Sequence, residues 1–246
     1  MPSAIEFRDV SLSAADGRRL LDGIHLAMEE GTTTAILGRS GSGKTTLLRM
    51  VNRMVRPTSG SILVHGEEVT DQDAVQLRRG IGYVIQETGL FPHYTIERNV
   101  GLVPELNGKR ANKERIYELL QQVGLEAAKF AGRWPHQLSG GQRQRAGLAR
   151  ALAADPSILL MDEPFGALDP LTRAEMQEML RALLQRLKKT VLLVTHDLDE
   201  ALYLASRIVL MEDGRIVADL AARDFMHSEL LEVRQYAQAF HRGVAR

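Results

Sequence analysis

The run Gly38-Arg39-Ser40-Gly41-Ser42-Gly43-Lys44-Thr45 fits the spacing G-x-x-x-x-G-K-[ST] and follows the short apolar stretch Thr34-Ala35-Ile36-Leu37, which reads as a strand feeding a loop. Its glycines permit backbone conformations closed to other residues, so successive N–H groups can converge on polyphosphate oxygens with no Cβ in the way. Lys44 then reaches the terminal phosphates, and the Thr45 hydroxyl is placed to ligate Mg²⁺. From Lys44 to Met54, the residues Leu47, Leu48, Val51 and Met54 recur at helical spacing. The loop therefore opens a helix whose positive N-terminal end faces the phosphates. A chain built around this strand, loop and helix is an α/β protein that binds a nucleotide.

A second helix start with glycines follows at Leu138-Ser139-Gly140-Gly141-Gln142. Ser139 has the chemistry of an N-cap, and two glycine amides with a helix dipole make another anion site. Taken alone the pentapeptide is equally an ordinary capped helix. Next, Ser157-Ile158-Leu159-Leu160-Met161-Asp162-Glu163 is a short apolar run closed by two carboxylates, and ligands of open α/β sheets gather at that end of a strand. Successive strand residues face opposite ways, so the two carboxylates divide the work: one supports Mg²⁺ and the other orients and deprotonates a water. Thr190 to Val194 is a further buried strand, ending in Thr195-His196-Asp197. An imidazole there can donate to a γ-phosphate oxygen as charge shifts in the transition state.

In that order, and with Gln86 in Tyr83-Val84-Ile85-Gln86 and Asp169 in Ala167-Leu168-Asp169, the chain resembles the ATP-binding subunits of ABC transporters over about residues 4 to 220. Leu138 to Gln142 matches that family's signature, Gln86 its Q-loop, Asp169 its D-loop and His196 its switch. The resemblance implies a P-loop NTPase core with a mixed sheet flanked by helices, an N-terminal antiparallel β subdomain and a small helical lobe. It implies ATP and Mg²⁺ as cofactors and a head-to-tail dimer, with ATP held between the phosphate loop of one copy and the signature of the other. Nucleotide contacts then fall to Gly38, Arg39, Ser40, Gly41, Ser42, Gly43, Lys44, Thr45, Thr46 and Asp162, and from the partner copy's positions to Ser139, Gly140, Gly141, Gln142 and Asp169. Glu163 becomes the catalytic base, His196 the γ-phosphate contact, and Thr45, Gln86 and Asp162 the metal-side residues, with Gln86, also catalytic, and Asp162 supporting the attacking water. Asn52 to Gly60, Leu77 to Gln86 and Gly89-Leu90-Phe91-Pro92-His93 look in particular like ATPases of osmoprotectant importers, which serve uptake of quaternary amines such as glycine betaine, choline or carnitine. Importers of other solutes share much of Met161 to Pro170, so an amino acid or another small molecule stays open as cargo, and a non-transport ABC ATPase is the remaining alternative.

The chain departs from the family in two places. Members with C-terminal CBS regulatory modules are common in this subfamily, and the tail from Ala222 to Arg246 is amphipathic at best and too short for another domain. The family also stacks an aromatic on adenine after the first strand, whereas that loop here reads Ser11 to Arg19 with no aromatic; Arg18 or Arg19 can serve instead, since a guanidinium plane can lie over a base.

With 246 residues, 44% of them hydrophobic and 25% charged, the chain can bury one α/β core and a smaller lobe. We expect residues 1–86 and 155–220 to form the ATPase core and β subdomain, 87–154 the helical lobe, and 221–246 a short helical tail. Ile5, Phe7, Ile24, Leu26 and Met28 alternate as half-buried strands, followed by strands at Ser61 to Val64 and Ile81 to Ile85. In the lobe Ile116, Leu119, Leu120 and Val123 form one helical stripe, with Pro92, Pro104 and Pro135 as its bounds. Pro170 suits the first turn of a helix running to Leu187. A formal net charge of zero argues against nucleic acid as a partner. No cysteine is present, which excludes disulfides and thiolate metal sites. No run of about 18 apolar residues and no basic-then-apolar leader stands in the sequence. Together with these absences, the resemblance implies a place at the cytoplasmic face of the membrane, bound to separate permease subunits and, through them, served by a solute-binding protein.

Overall fold

The computed structural model describes residues 3–86, 88–109 and 112–244. Along the chain these form β1 (Ser3–Ser13), β2 (Arg19–Glu29), β3 (Thr33–Leu37), α1 (Lys44–Val51), β4 (Ser59–Val64), β5 (Glu67–Glu68), α2 (Ala74–Gly80) and β6 (Ile81–Val84). There follow α3 (Ile96–Leu106), α4 (Lys113–Gln122), α5 (Ala127–Phe130), a 3₁₀ turn at Pro135–Gln137, α6 (Gly140–Leu152), β7 (Ile158–Asp162) and α7 (Pro170–Leu187). The chain closes with β8 (Thr190–Thr195), α8 (Leu198–Leu204), β9 (Arg207–Glu212), β10 (Arg215–Ala221), α9 (Ala222–Phe225) and α10 (Leu231–Val244). They fall into two compact units, Met1–Arg78 with Thr190–Arg246, and Arg79–Lys189.

In the first unit, β1 and β2 pair antiparallel with Phe7 opposite Leu26 and Ile5 opposite Met28. The period-2 alternation puts these apolar side chains on one buried face. β4 and β5 extend that sheet in the order β2-β1-β4-β5. A second, mixed sheet runs β10-β9-β3-β8, with β3 parallel to both neighbours and β9 antiparallel to β10. Ala35, Ile36 and Leu37 of β3 and Val191 to Val194 of β8 are buried without alternation, as strands covered on both faces must be. α1 packs against β8 and β4, and α8 against β3 and β8.

The second unit is built on the parallel pair β6 and β7, Ile81 opposite Ile158 and Tyr83 opposite Leu160. α6 packs against β6 and against α3, α4 and α7. This grouping differs from the expected core and lobe. The helical segment shares a unit with β6, β7 and α7, because α6 buries Ala146, Leu148, Ala149 and Leu152 beside β6.

Three local expectations change. α1 ends at Val51, where Asn52 caps it and Arg53 turns left-handed at φ 55°, so Met54 leaves the helical stripe and is 58% exposed. Pro104 lies inside α3 rather than at a boundary of the lobe. It stands in the last turn, where proline's lost N–H removes only one bond before the helix closes through Asn107. Glu163 lies outside β7 in the left-handed region, at φ 45°, so a bent turn and not strand alternation aims its carboxylate.

Candidate functional site

In the first unit the phosphate loop leaves β3 at Gly38, where an added Cβ would lie 2.3 Å from the Met211 carbonyl oxygen of β9. Gly41 and Gly43 have φ of 84° and 98°, a region costly for any residue with a Cβ. Lys44 is only 5% exposed, and its ammonium donates to the Gly38 and Arg39 carbonyls, both at 2.8 Å. The loop thus wraps its own cation. A buried ammonium needs such partners, and with its carbonyls turned onto Lys44 the loop leaves main-chain N–H groups for an anion. Thr45 and Thr46 follow in the first turn of α1, which carries no acidic residue to oppose a phosphate. The Ser42 hydroxyl is buried with no hydrogen-bond partner.

His196 sits beside this loop. β3 and β8 are in parallel register with Leu37 opposite Thr195, so Gly38 and His196 are the residues that next leave the sheet from adjacent strands. A buried network fixes the turn after His196. The Thr195 hydroxyl donates to Glu200 Oε2 at 2.6 Å and accepts from the Asp197 amide at 3.0 Å, while Asp197 caps α8 through the Glu200 amide at 3.1 Å. The Tyr236 hydroxyl of α10 donates to the His196 carbonyl at 2.9 Å, and the His196 side chain is exposed. Sequence reasoning missed Thr195, Glu200 and Tyr236. The first two carried a signal, since a hydroxyl and a carboxylate flanking a capping Asp are the material of a buried turn network.

In the second unit Asp162 ends β7 at 4% exposure, with the Tyr83 hydroxyl 3.5 Å from its Oδ2. The Gln86 amide lies 3.4 Å from Glu163 Oε2, which joins two of the predicted site residues directly. Ser139 and Gln142 form the full capping box of α6. The Ser139 hydroxyl accepts from the Gln142 amide at 3.3 Å, and the Gln142 side chain accepts from the Ser139 amide at 3.0 Å. Gly141 packs so closely on α7 that a Cβ would meet Thr172 Cγ2 at 2.4 Å, whereas the space beside Gly140 is open. Gln86, Gly140, Arg143, Gln144 and Ala167 line one cavity of about 270 Å³, so Q-loop, signature and the turn after Glu163 share a surface. Asp169 caps α7 through the Thr172 amide at 3.1 Å; a hydrogen bond from the Thr172 side chain, and after it the one from that amide, holds its carboxyl below the usual carboxylate range.

At the tip of the β1–β2 hairpin, where an aromatic is missing, Arg19 and Arg215 both pair with Asp22. That engagement takes Arg19 from the role of base platform; Arg18 stays exposed.

Comparison with known proteins agrees with this geometry. A family model described as "ABC transporter" matches residues 21–166. The chain is 53% identical over 201 residues to the osmoprotectant import ATP-binding protein OsmV of Salmonella typhimurium, covering 81% of this chain and 53% of that one. It is 48% identical over 215 residues to the choline transport ATP-binding protein OpuBA of Bacillus subtilis, covering 87% and 56%. Identity to the glycine betaine uptake system ATP-binding protein YehX of Escherichia coli is 47%, covering 87% and 69%. The chain thus spans about half the length of the first two. Among solved structures, the ATP-binding cassette MJ0796, a dimer in a post-hydrolysis state bound to ADP and Pi, superposes with a TM-score of 0.80 at 34% identity, covering 89% of this chain and 99% of that one. The protein cbiO1 of Clostridium perfringens superposes at 0.83 with 27% identity, covering 94% and 93%. With the phosphate loop, the capped signature helix and the acidic strand end all formed within this fold, the chain belongs to the ABC transporter family.

Proposed function

We propose that this chain is the ATP-hydrolysing subunit of an ABC importer that powers uptake of an osmoprotectant of the quaternary-amine class through separate permease subunits at the cytoplasmic face of the membrane. The observation that carries the reading is the phosphate loop wound on Lys44, joined to relatives whose names specify osmoprotectant, choline and glycine betaine transport.

In this reading two chains pair head to tail, as the dimeric cassette to which this chain is similar supports. The loop from Gly38 to Thr46 binds the ATP phosphates of one site, and Ser139 to Gln142 of the second copy closes over them with the positive end of α6. The capping box leaves the Gly140 and Gly141 amides uncommitted to Ser139, so they can meet an anion. Mg²⁺ fits the donor chemistry of the chain. Thr45, Gln86 and Asp162 are hard oxygen ligands, and a cation that keeps waters and phosphate oxygens needs few protein donors. When bound, Mg²⁺ neutralises phosphate charge as it shifts to the leaving group. Gln86 orients the water, Glu163 takes its proton, and His196 donates to the γ-phosphate oxygen. Asp169, which caps α7, is assigned to the nucleotide site of the second copy. The cargo reaches the permease from a solute-binding protein.

The test is ATP hydrolysis by the full chain, followed by reconstitution with its permease in vesicles and uptake of labelled glycine betaine against a labelled amino acid. Mg²⁺-dependent hydrolysis lost in Lys44→Ala and betaine uptake are expected. Absence of hydrolysis refutes the activity, and uptake of the amino acid alone refutes the cargo.

A further inference from the structure

The face of α6 that opens with Gly140 continues at helical spacing through Gln144 and Gly147 to Arg150, and the Q-loop lies along it. At Gly147 the backbones approach closely, for an added Cβ would stand 3.3 Å from the Thr88 carbonyl oxygen. One turn further the half-buried Arg150 donates through one guanidinium nitrogen to the Gly89 carbonyl at 2.6 Å and through another to the Thr88 carbonyl at 3.0 Å. A desolvated cation needs acceptors, and a planar fork matches two of them at once. Gly89 serves this arrangement, since its left-handed φ of 57° turns the chain where the two successive carbonyls meet one guanidinium.

Packing does not fix the loop by itself. The cavity of about 270 Å³ beside Gln86 and Thr88 reaches Gly140 and Gln144 of the same helix face, and where side chains leave space, directional hydrogen bonds define position. Among the described residues the buried amide nitrogen of Gln144 has no hydrogen-bond partner, whereas Arg150 makes two bonds to the loop. At the other end of this segment the Gln86 amide stands 3.4 Å from Glu163 Oε2. Gln86 comes two positions before Thr88, too short a stretch for one end to move independently of the other.

We propose that Arg150 is a positioning residue for ATP hydrolysis: its fork holds the Q-loop on the helix that begins with the signature, and so fixes where Gln86 presents its side chain to the attacking water. This rests on the reading that Gln86 orients that water. Arg150 touches neither nucleotide nor water in the scheme, so its loss should misplace Gln86 and slow the chemical step while ATP affinity stays near the parent's.

Arg150→Met keeps an unbranched stem and removes the fork, whereas Arg150→Lys keeps the charge without the bidentate geometry. Hydrolysis is measured on the full chain with MgATP, and hydrogen–deuterium exchange of the amides over 85–91 on the nucleotide-free chain. Arg150→Met is expected to lower kcat about 10- to 100-fold, the scale on which a misplacement of about 1 Å acts. ATP affinity should stay within about threefold, and exchange over 85–91 should quicken about tenfold or more, as two bonds to a charged donor are lost. Arg150→Lys should fall between parent and Arg150→Met, and it carries the test where the methionine variant does not fold. In a Gln86→Ala background Arg150→Met should alter kcat less than about twofold, because residues acting as a unit are not additive. Parental kcat in either variant, parental exchange, a rise in KM at constant kcat, or the same fold-loss with and without Gln86 overturns the assignment. Parental kcat in Gln86→Ala alone overturns the functional reading beneath it and leaves exchange to decide the clamp, so the two failures are distinct.

Discussion

Glu163 separates the chemistry of this site from its stability, and the two can be measured on the same substitutions. Its backbone is left-handed at φ 45°, which costs an L-residue roughly 1–2 kcal/mol relative to glycine. Glycine in turn adds unfolded-state freedom worth roughly 0.5–1 kcal/mol. Of the contacts that Glu163→Gly would forfeit, Gln86 to Oε2 at 3.4 Å is long and solvent-exposed and is worth at most about 0.5 kcal/mol. The sum puts Glu163→Gly between about 0.5 kcal/mol less and about 1.5 kcal/mol more stable than the parent, by the same principles. Glu163→Gln keeps both shape and strain, so its stability should lie within about 0.5 kcal/mol of the parent. Both remove the base and should cut ATP turnover about 10²–10⁴-fold, or about 2.7–5.4 kcal/mol of transition-state stabilisation. Glu163→Gln should also accumulate an ATP-bound dimer. Urea unfolding of the nucleotide-free chain reads the first quantity, and steady-state hydrolysis with size-exclusion chromatography in ATP reads the second. Near-normal hydrolysis in Glu163→Gln would remove Glu163 from the role of base. A loss above about 2 kcal/mol in Glu163→Gly would show that the side chain holds the turn together and that the strain argument fails.

Phe91→Ala should weaken association with the permease while ATP affinity of the isolated chain stays within about twofold, a difference read by pull-down and nucleotide titration. Phe91 is exposed and clusters with His93 and Tyr94 on a turn fixed by Asn99, whose side-chain Oδ1 accepts from the Phe91 amide at 2.7 Å; equal permease capture by variant and parent counts against this surface. Gly38→Ala drives a Cβ against the Met211 carbonyl and should cost about 2 kcal/mol or more, measured by urea unfolding; a parental midpoint would mean that β9 yields freely. The hairpin tip that lacks an aromatic should leave ATP and GTP weakly discriminated, and Ala14→Tyr should tighten ATP about 5- to 150-fold, on the scale of base–aromatic stacking. Strong ATP preference in the parent with no gain in the variant would show that another group holds the adenine.

Elements whose signal is local were legible in the sequence. The phosphate loop, the Ser139 cap and the start of α7 at Pro170 each depend on residues within one turn, and their spacing alone specifies the geometry seen at Lys44, Gln142 and Pro170. Strands with strict alternation, such as Ile24, Leu26 and Met28, were legible for the same reason. What was not legible depends on partners distant in the chain. Tyr236 meets His196 across forty positions, and nothing in the periodicity of Leu231 to Phe240 marks one polar tip as pointing inward. The sequence offers Arg19 as a platform, but Arg215, far along the chain, shares Asp22 with it. The end of α1 was missed because Met54 continues an apolar period past the residue that breaks the helix, Arg53.

Left-handed residues also distinguish construction from chemistry. Among the described non-glycine residues at positive φ, Asp9, His65, Asp155 and Asp213 are of types that enter this region at modest cost. Arg53 and Lys188 follow or cap the C-termini of α1 and α7, where a left-handed residue lets the last carbonyls find donors. Glu163 belongs to neither group. It comes directly after a buried strand, and the turn it makes closes through the Gly166 amide onto its own carbonyl at 3.2 Å, a bond that glycine or asparagine would permit with less strain. What glycine and asparagine cannot supply is a carboxylate at this point, one residue past Asp162 and in reach of Gln86. A local rule broken where the backbone gains nothing from it points to chemistry as the reason for the residue, and accepting a proton from water is the role we propose for this carboxylate.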